Sequence, residues 1–285
     1  MPAALHNPAR FALAVVAEMG RAVLGLFRSL LGVTARVGAV WRLLLEALVG
    51  AVTAPLLRRG TARKQLFPLM MNVGARSAPI VSLVALLTGA ILVLQTGDVI
   101  QEFGQISEVP GLVALSMTRA LGPLMTAIVL IGRVGASYTA VLGSMTINEE
   151  ILALETMSIS PVEYLVSPRL VSMLVMTPCL VVFAYLVGML GGGIVAFVSY
   201  SITPAAYLTT TFDYLTVDDI FGGLLKAVVF GLLIAVISCH YGLTTTGGPM
   251  GLGRNIMVSV VTCIVVIVAA DAILTAFLIN YVLEM

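Results

Sequence analysis

Charged side chains are scarce in this sequence. Asp, Glu, Lys and Arg together make up 10% of the 285 residues, and 60% of the residues are hydrophobic. Soluble globular domains carry about 25% charged residues, and the mean hydropathy of this chain is +1.10. The composition therefore excludes an ordinary soluble domain and predicts an integral membrane protein.

Residues and motifs that support catalysis or metal binding are also missing. The sequence has no HExxH, GxSxG or CxxC motif, and neither His6 nor His240 has an evident metal partner. The glycine-rich segment 247–254 lacks the Gly-Lys-Ser/Thr ending of a nucleotide-binding loop, so a turn is predicted there. We therefore expect a non-catalytic protein without a metal or cofactor of its own. Three cysteines in apolar runs, without metal or redox spacing, are predicted to be small buried side chains: Cys179, Cys239 and Cys263.

The N-terminal region, residues 1–64, combines apolar residues with a narrow charged face. The charged residues from position 10 to position 46 project over an arc about 120° wide if the segment is helical. This pattern predicts an amphipathic helix lying in the membrane interface, with a soluble amphipathic helix packed on a domain as the alternative. The first ten residues also lack the features of a cleavable signal peptide. The charged positions are Arg10, Glu18, Arg21, Arg28, Arg36, Arg42 and Glu46.

Residues 65–285 contain long runs without charge. The first, 77–97, has 21 uncharged residues, and about 20 apolar residues are enough to cross a bilayer. Further spans are predicted near 111–132, within 170–212, and near 222–243 and 255–281, the run 170–212 being long enough for a bent helix with a re-entrant or loop tail. The predicted fold is thus all-α, with one interfacial helix followed by five transmembrane helices.

The charges between the spans predict the orientation of the chain. Loops rich in Lys and Arg stay in the cytoplasm, which predicts a cytoplasmic N-terminus, a cytoplasmic segment 143–165 and an external C-terminus. The basic residues are Arg58, Arg59, Arg63, Lys64, Arg76, Arg133, Arg169 and Arg254, whereas the opposite loops carry Asp98, Glu102, Glu108, Asp213, Asp218 and Asp219.

Two groups of charged residues are candidates for function. Segment 143–165 is a short acidic helix pattern between two spans, which favours a docking surface for a soluble partner. Arg119, Lys226 and Asp271 lie inside predicted spans, each at a cost of about 2.5–3.5 kcal/mol, and a rise of about 1.5 Å per residue puts all three in the outer half of the membrane. They form either a structural ion pair or a polar patch that meets an anionic headgroup.

Several motifs in order along the chain resemble the MlaE/YrbE permease family. They are Gly111-Leu-Val-Ala-Leu-Ser-Met-Thr-Arg-Ala-Leu-Gly-Pro123, Gly132-Arg-Val-Gly-Ala136, Glu155-Thr-Met-Ser-Ile-Ser-Pro161, Ser167-Pro-Arg169, Lys226-Ala-Val-Val-Phe230 and Asp271-Ala-Ile-Leu-Thr-Ala276. The resemblance extends from about residue 65 to the C-terminus. These permeases are the membrane subunits of ABC transporters that work with MCE-domain lipid-binding proteins.

The resemblance implies a homodimer in the inner (cytoplasmic) membrane that moves a phospholipid or another lipid to or from an outer MCE-domain protein. A cytoplasmic ATPase, which binds ATP and Mg²⁺, would dock on a coupling helix at about 145–157. The implied coupling residues are Glu149, Glu150, Glu155 and Met157, and the implied lipid-cavity residues are Leu94, Gln95, Arg119, Lys226 and Asp271.

One position departs from the family pattern, and two other functions stay open. Relatives commonly have Glu after the arginine, whereas this chain has Ala120, which predicts that Arg119 lacks a neighbouring anion. The first alternative function is an ion-coupled secondary transporter with Asp271 and Lys226 as a proton relay. The second is a non-transporting membrane anchor for an MCE assembly.

Overall fold

The computed structural model describes residues 38, 42–43, 45–47 and 59–283. The interfacial helix predicted in residues 1–64 falls almost wholly outside this part of the chain. By compactness the chain divides into a short unit, Met1–Leu45, and a large unit, Glu46–Met285. Every helix named below belongs to the large unit.

From Arg59 onward, the described residues form ten α-helices and no strand. Wide π-helical turns interrupt the bundle at Met117–Leu121 and Ile131–Gly135, and a third precedes α7 at Val162–Val166. The helices are α1 (Arg59–Val73), α2 (Ala78–Glu102), α3 (Val109–Ser116), α4 (Gly122–Leu130), α5 (Ala136–Ile147), α6 (Glu150–Thr156), α7 (Ser167–Tyr200), α8 (Pro204–Tyr214), α9 (Val217–Leu243) and α10 (Gly248–Leu283).

Five helical segments of the described chain are long and apolar enough to cross a membrane, which confirms the predicted all-α membrane fold. They are span 1 (Leu66–Glu102), span 2 (Ile106–Ile147), span 3 (Val162–Tyr200), span 4 (Val217–Leu243) and span 5 (Gly248–Asn280). Most of them are longer than predicted because helical hydrogen bonding continues through charged residues near the ends. We call the two ends of the bundle the α6 end and the α8 end, after the short helices there.

The uncharged run 170–212 contains two helices rather than one bent helix with a loop tail. Ser201 takes a left-handed conformation, with φ of 55°, and ends α7. The hydroxyl of Thr203 accepts a hydrogen bond from the backbone N–H of Ala206, and Pro204 occupies the first turn of α8. Both features are typical of a helix start, so the chain begins a new helix within the uncharged run.

The closest helix packing joins α2 to α7. A Cβ atom at Gly89 would overlap the carbonyl oxygen of Gly188, and one at Gly191 would overlap the carbonyl oxygen of Leu86. Small residues of this kind let two backbones touch, which is how membrane helices associate without a hydrophobic driving force. A core cluster beneath α8 extends this contact toward the α8 end: Val93, Val109, Val113, Met117, Ala196, Ile202 and Tyr207.

The first and fifth spans present the most surface. In the most apolar 18-residue stretch of each span, 28% of span 1 and 17% of span 5 is buried inside the protein. The buried share is 44–50% in the other three spans. Large apolar residues are exposed on α2 at 80, 83, 87 and 91 and on α10 at 257, 261, 265 and 268. These helices therefore have apolar faces that the other described residues do not cover.

Candidate functional site

Lys226 and Asp271 form a buried ion pair between α9 and α10. The Lys226 side chain is 2% exposed, and its Nζ lies 3.0 Å from Oδ1 of Asp271. Nζ also donates to the hydroxyl of Thr275 at 2.6 Å and to the carbonyl oxygen of Arg119 at 2.8 Å. The contact with Asp271 is an ion pair and not a hydrogen bond, since Oδ1 accepts no hydrogen bond from the described residues. The ammonium is therefore fixed by three neighbours.

The sequence explains why the carbonyl oxygen of Arg119 is free to accept a hydrogen bond from Lys226. In an α-helix the carbonyl of residue 119 accepts the N–H of residue 123, but Pro123 has no N–H to donate. Arg119 also lies in the π-helical turn Met117–Leu121, where the helix is already widened. The Arg119-Ala-Leu-Gly-Pro123 motif thus leaves a backbone acceptor inside the membrane, and the Lys226 ammonium satisfies it.

Arg119 itself pairs with Asp219, which corrects the prediction that it lacks a nearby anion. Its Nε lies 2.5 Å from Oδ1 of Asp219, whose side chain is 7% exposed. The other oxygen of Asp219 accepts a hydrogen bond from the Thr216 hydroxyl at 2.7 Å and completes the capping box of α9. The sequence prediction considered only the position beside Arg119 along the chain, whereas the partner lies 100 residues later.

The two pairs form one charged cluster that joins spans 2, 4 and 5. The Arg119 side chain is 49% exposed, whereas Lys226 is almost fully enclosed. Arg119 is thus the cation of the cluster that can meet a ligand, and Lys226 with Asp271 corresponds to the structural ion pair considered from the sequence. We use the name charged cluster for Arg119, Asp219, Lys226, Asp271 and Thr275.

The remaining predicted cavity residues lie elsewhere. Leu94 and Gln95 are exposed on α2, which packs chiefly on α7, so their part in a lipid cavity stays a prediction. A narrow cleft lies between α2, α4 and α7, with Val84, Thr88, Met125 and Ala184 among its lining residues. The cleft is too narrow to admit a water-sized sphere, and a lipid chain cannot enter it unless the helices move.

At the α6 end, the predicted coupling segment forms an exposed helix. Glu149 takes a left-handed conformation, with φ of 59°, and starts α6, so the helix is shorter than the predicted 145–157 because α5 continues to Ile147. No residue of α6 is buried. Leu152 and Met157 are 56% and 61% exposed, close to the exposed carboxylates of Glu149, Glu150 and Glu155. This surface combines apolar and acidic side chains.

Two arginines expected between spans lie inside the bundle. Arg133 Nη1 donates to the carbonyl oxygen of Asn72 at 2.9 Å and to the hydroxyl of Ser77 at 2.5 Å. It therefore donates to a carbonyl oxygen at the end of α1, where the helix has no further N–H donors of its own. Arg169 is 9% exposed and lies 5.7 Å from the ring centroid of Tyr138. The sequence pattern gave no signal for either contact, because each joins residues that are far apart along the chain.

The cysteine prediction holds for two of three residues. Cys239 and Cys263 are buried, whereas Cys179 is exposed. Cys179 follows Pro178 on α7, on a side of that helix that the neighbouring helices do not cover. An apolar sequence run predicts membrane burial but not burial against protein, which explains the error.

Comparison with known proteins identifies relatives of the whole bundle. The family model described as Permease MlaE matches residues 66–277. A probable ABC transporter permease protein of Rickettsia typhi is 36% identical over 209 residues, which cover 73% of this chain and 81% of that protein. One of Synechocystis is 34% identical over 220 residues, 77% and 84% of the two chains. Protein TRIGALACTOSYLDIACYLGLYCEROL 1, chloroplastic, of Arabidopsis thaliana is 29% identical over 239 residues, 84% of this chain and 68% of that one.

Proposed function

The chain belongs to the MlaE permease family, and we propose that it is the membrane subunit of an ATP-driven lipid transporter. Two copies would enclose the lipid, a separate ATPase would dock on each copy, and an MCE-domain protein on the outer side would deliver or receive the lipid. The chain itself would catalyse no reaction, because ATP and Mg²⁺ would bind to the ATPase.

The observation that carries this proposal is the surface of α6. A short helix without a buried residue contributes little to the stability of its own chain. Leu152 and Met157 nevertheless expose apolar side chains next to three carboxylates. Exposed apolar residues bordered by charge are typical of a docking surface, and α6 directly continues from span 2, so a bound ATPase could move that span.

A chamber shared between two copies fits the packing of the single chain. The cleft between α2, α4 and α7 is too narrow for a lipid chain, whereas the described part of the chain leaves the apolar faces of α2 and α10 uncovered. A second copy covering those faces would create a chamber shared by the two copies. The half-exposed guanidinium of Arg119 would supply a positive charge for the headgroup, since arginine binds phosphate in a bidentate manner.

The choice of a lipid as substrate has one further support. The name of the Arabidopsis relative is that of a galactosylated diacylglycerol, which is a lipid.

We assign the α6 end to the cytoplasm and the α8 end to the outside, because the predicted loops at the α8 end carry acidic residues without Lys or Arg.

Purification from native membranes tests the proposed function directly. We expect the tagged protein to copurify with an ABC ATPase in equal numbers of subunits and with bound lipid, both identified by mass spectrometry. In reconstituted vesicles, lipid movement should require ATP hydrolysis and continue after a proton ionophore is added. Movement that depends on a proton gradient instead of ATP would favour a secondary transporter, and a complex that moves no lipid would favour an anchor.

Charge reversal on α6 tests the docking surface. Glu150→Lys with Glu155→Lys should abolish copurification of the ATPase while leaving insertion and expression intact, because like charges juxtaposed across an interface cost several kcal/mol. The matched control is Glu102→Lys, which reverses an exposed glutamate in the last turn of α2 at the α8 end. A normal ATPase ratio in the double variant, or an equal loss in the control, would contradict the proposal. Subunit ratios by quantitative mass spectrometry provide the measurement.

A further inference from the structure

Thr146 occupies the junction between α6 and the rest of the bundle. Its carbonyl oxygen accepts the backbone N–H of Glu149 at 3.2 Å, which holds the start of α6. Its hydroxyl donates to the carbonyl oxygen of Leu142 in its own helix at 2.9 Å and also lies 3.2 Å from the carbonyl oxygen of Gly242 in the last turn of α9. One residue of α5 therefore contacts the acidic helix through its main chain and a neighbouring span through its side chain.

Thr139, two turns earlier on α5, binds two spans at once. Its hydroxyl lies 3.0 Å from the carbonyl oxygen of Ser238 on α9 and 3.0 Å from the hydroxyl of Ser259 on α10. All three residues are fully buried. The hydroxyl has one proton to donate. It is the donor in both contacts and in a third, to the carbonyl oxygen of Gly135 at 3.2 Å, so these three acceptors share the proton.

The backbones of α5 and α9 touch at the same level. A Cβ atom at Gly242 would lie 2.7 Å from Cβ of Leu142, and one at Gly143 would lie 2.8 Å from the Thr245 hydroxyl. On the other side, the Asn255 amide of α10 lies 3.4 Å from the carbonyl oxygen of Tyr241. Side-chain hydrogen bonds and close backbone contacts therefore join α5, α9 and α10 near the start of α6.

α10 extends from this junction to the charged cluster. The helix contains no proline after Pro249, and it is continuous from Ser259 to Asp271. At a rise of about 1.5 Å per residue, these positions are about 18 Å apart. A displacement of Ser259 would therefore reach the Asp271 carboxylate through a single rigid helix.

We propose that Thr139 and Thr146 are positioning residues that transmit movement of α6 to α9 and α10, and so to Lys226 and Asp271. The proposal rests on the function proposed above, in which a bound ATPase displaces α6. In this mechanism α5, α9 and α10 move as one body because hydroxyl groups tie α5 to both neighbours. The loss of those ties would let α6 move without the charged cluster.

The test compares isosteric and conservative substitutions in the intact complex with its ATPase. Thr139→Val with Thr146→Val removes both hydroxyls at nearly constant volume, and Thr139→Ser with Thr146→Ser retains them. Thr177→Val is the matched control, because Thr177 of α7 is buried and its hydroxyl has no hydrogen-bond partner among the described residues. Vesicles of phosphatidylethanolamine and phosphatidylglycerol contain a fluorescent phosphatidylglycerol as the probe.

We expect the valine double variant to assemble and hydrolyse ATP, with probe moved per ATP reduced by about fivefold or more, the lower end of usual coupling strengths. The serine double variant should restore that ratio, and Thr177→Val should leave it unchanged. An unchanged ratio in the valine double variant, or an equal loss in Thr177→Val, would overturn the proposal.

A native thiol gives a second readout that does not depend on transport. Cys263 of α10 is fully buried, 3.8 Å from the hydroxyl of Ser238. In a Cys179→Ala background, we expect 4,4′-dithiodipyridine to modify Cys263 faster in the valine double variant than in the unaltered or serine protein, with the site located by mass spectrometry. A Cys263 that stays equally protected would overturn the link between the helices. An absence of ATP-dependent probe movement in the unaltered protein would overturn the proposed function instead.

Discussion

Asp271→Ala is expected to destabilise the protein by about 3–5 kcal/mol, because the buried ammonium of Lys226 loses its counter-ion. The side chains of Lys226 and Asp271 are 2% and 16% exposed, so water cannot replace the lost carboxylate. Thermal unfolding in detergent, followed by the loss of monodisperse protein, would measure the change. We expect a large decrease in the unfolding temperature.

A variant without either charge shows whether Asp271→Ala destabilises the protein through the lost ion pair or through poorer packing. Lys226→Met combined with Asp271→Leu should recover most of the lost stability, because a buried pair replaced by apolar residues is often neutral. The recovery should be incomplete, since the Arg119 carbonyl also loses its donor. Asp213→Ala, at an exposed carboxylate on α8, should change stability by less than about 0.5 kcal/mol. A double variant less stable than Asp271→Ala alone would contradict this explanation.

Gly89→Ala should destabilise the protein by about 1–3 kcal/mol, the usual cost of overpacking. The added methyl group would overlap the carbonyl oxygen of Gly188. A backbone atom cannot rotate away as a side chain can, so α2 and α7 would have to separate. The same thermal unfolding assay would detect the loss.

Gly193→Ala provides the contrasting result on α7. The nearest atom to its added Cβ is a ring carbon of Tyr207 at 3.4 Å, which is ordinary van der Waals contact. Because alanine favours a helix over glycine by about 1 kcal/mol, this variant should be as stable as the parent protein or slightly more so. Equal destabilisation by both substitutions would show that helix packing does not depend on the small residue at Gly89.

The five spans could be predicted from sequence because each is a long apolar segment with few charged residues. The boundary between α7 and α8 could not, since residues 170–212 carry no charge that separates them. That boundary depends on a left-handed Ser201 and on the Thr203 cap before Pro204. A turn depends on the backbone angles of a few residues. Hydropathy carries no information about those angles, so it did not reveal this boundary.

Much of the candidate site could also be predicted. Depth along the helices placed Arg119, Lys226 and Asp271 in the same half of the membrane, and the structure joins all three in the charged cluster. Asp219 was missed because the sequence analysis assigned it to a loop, whereas it lies in the first turn of α9. Its role as the partner of Arg119 depends on how spans 2 and 4 pack, which the sequence pattern does not specify.

The ammonium of Lys226 donates to the main-chain carbonyl oxygen of Arg119, whereas the guanidinium of Arg119 pairs with Asp219. Residue 119 thus makes two separate contacts within the charged cluster. The lysine stays anchored whichever way the arginine side chain points. The hydrogen bond from Lys226 to the carbonyl oxygen of residue 119 therefore links spans 4 and 2 independently of the contacts that the guanidinium makes. A change in the partner of Arg119 would break the ion pair with Asp219 but leave this second link in place.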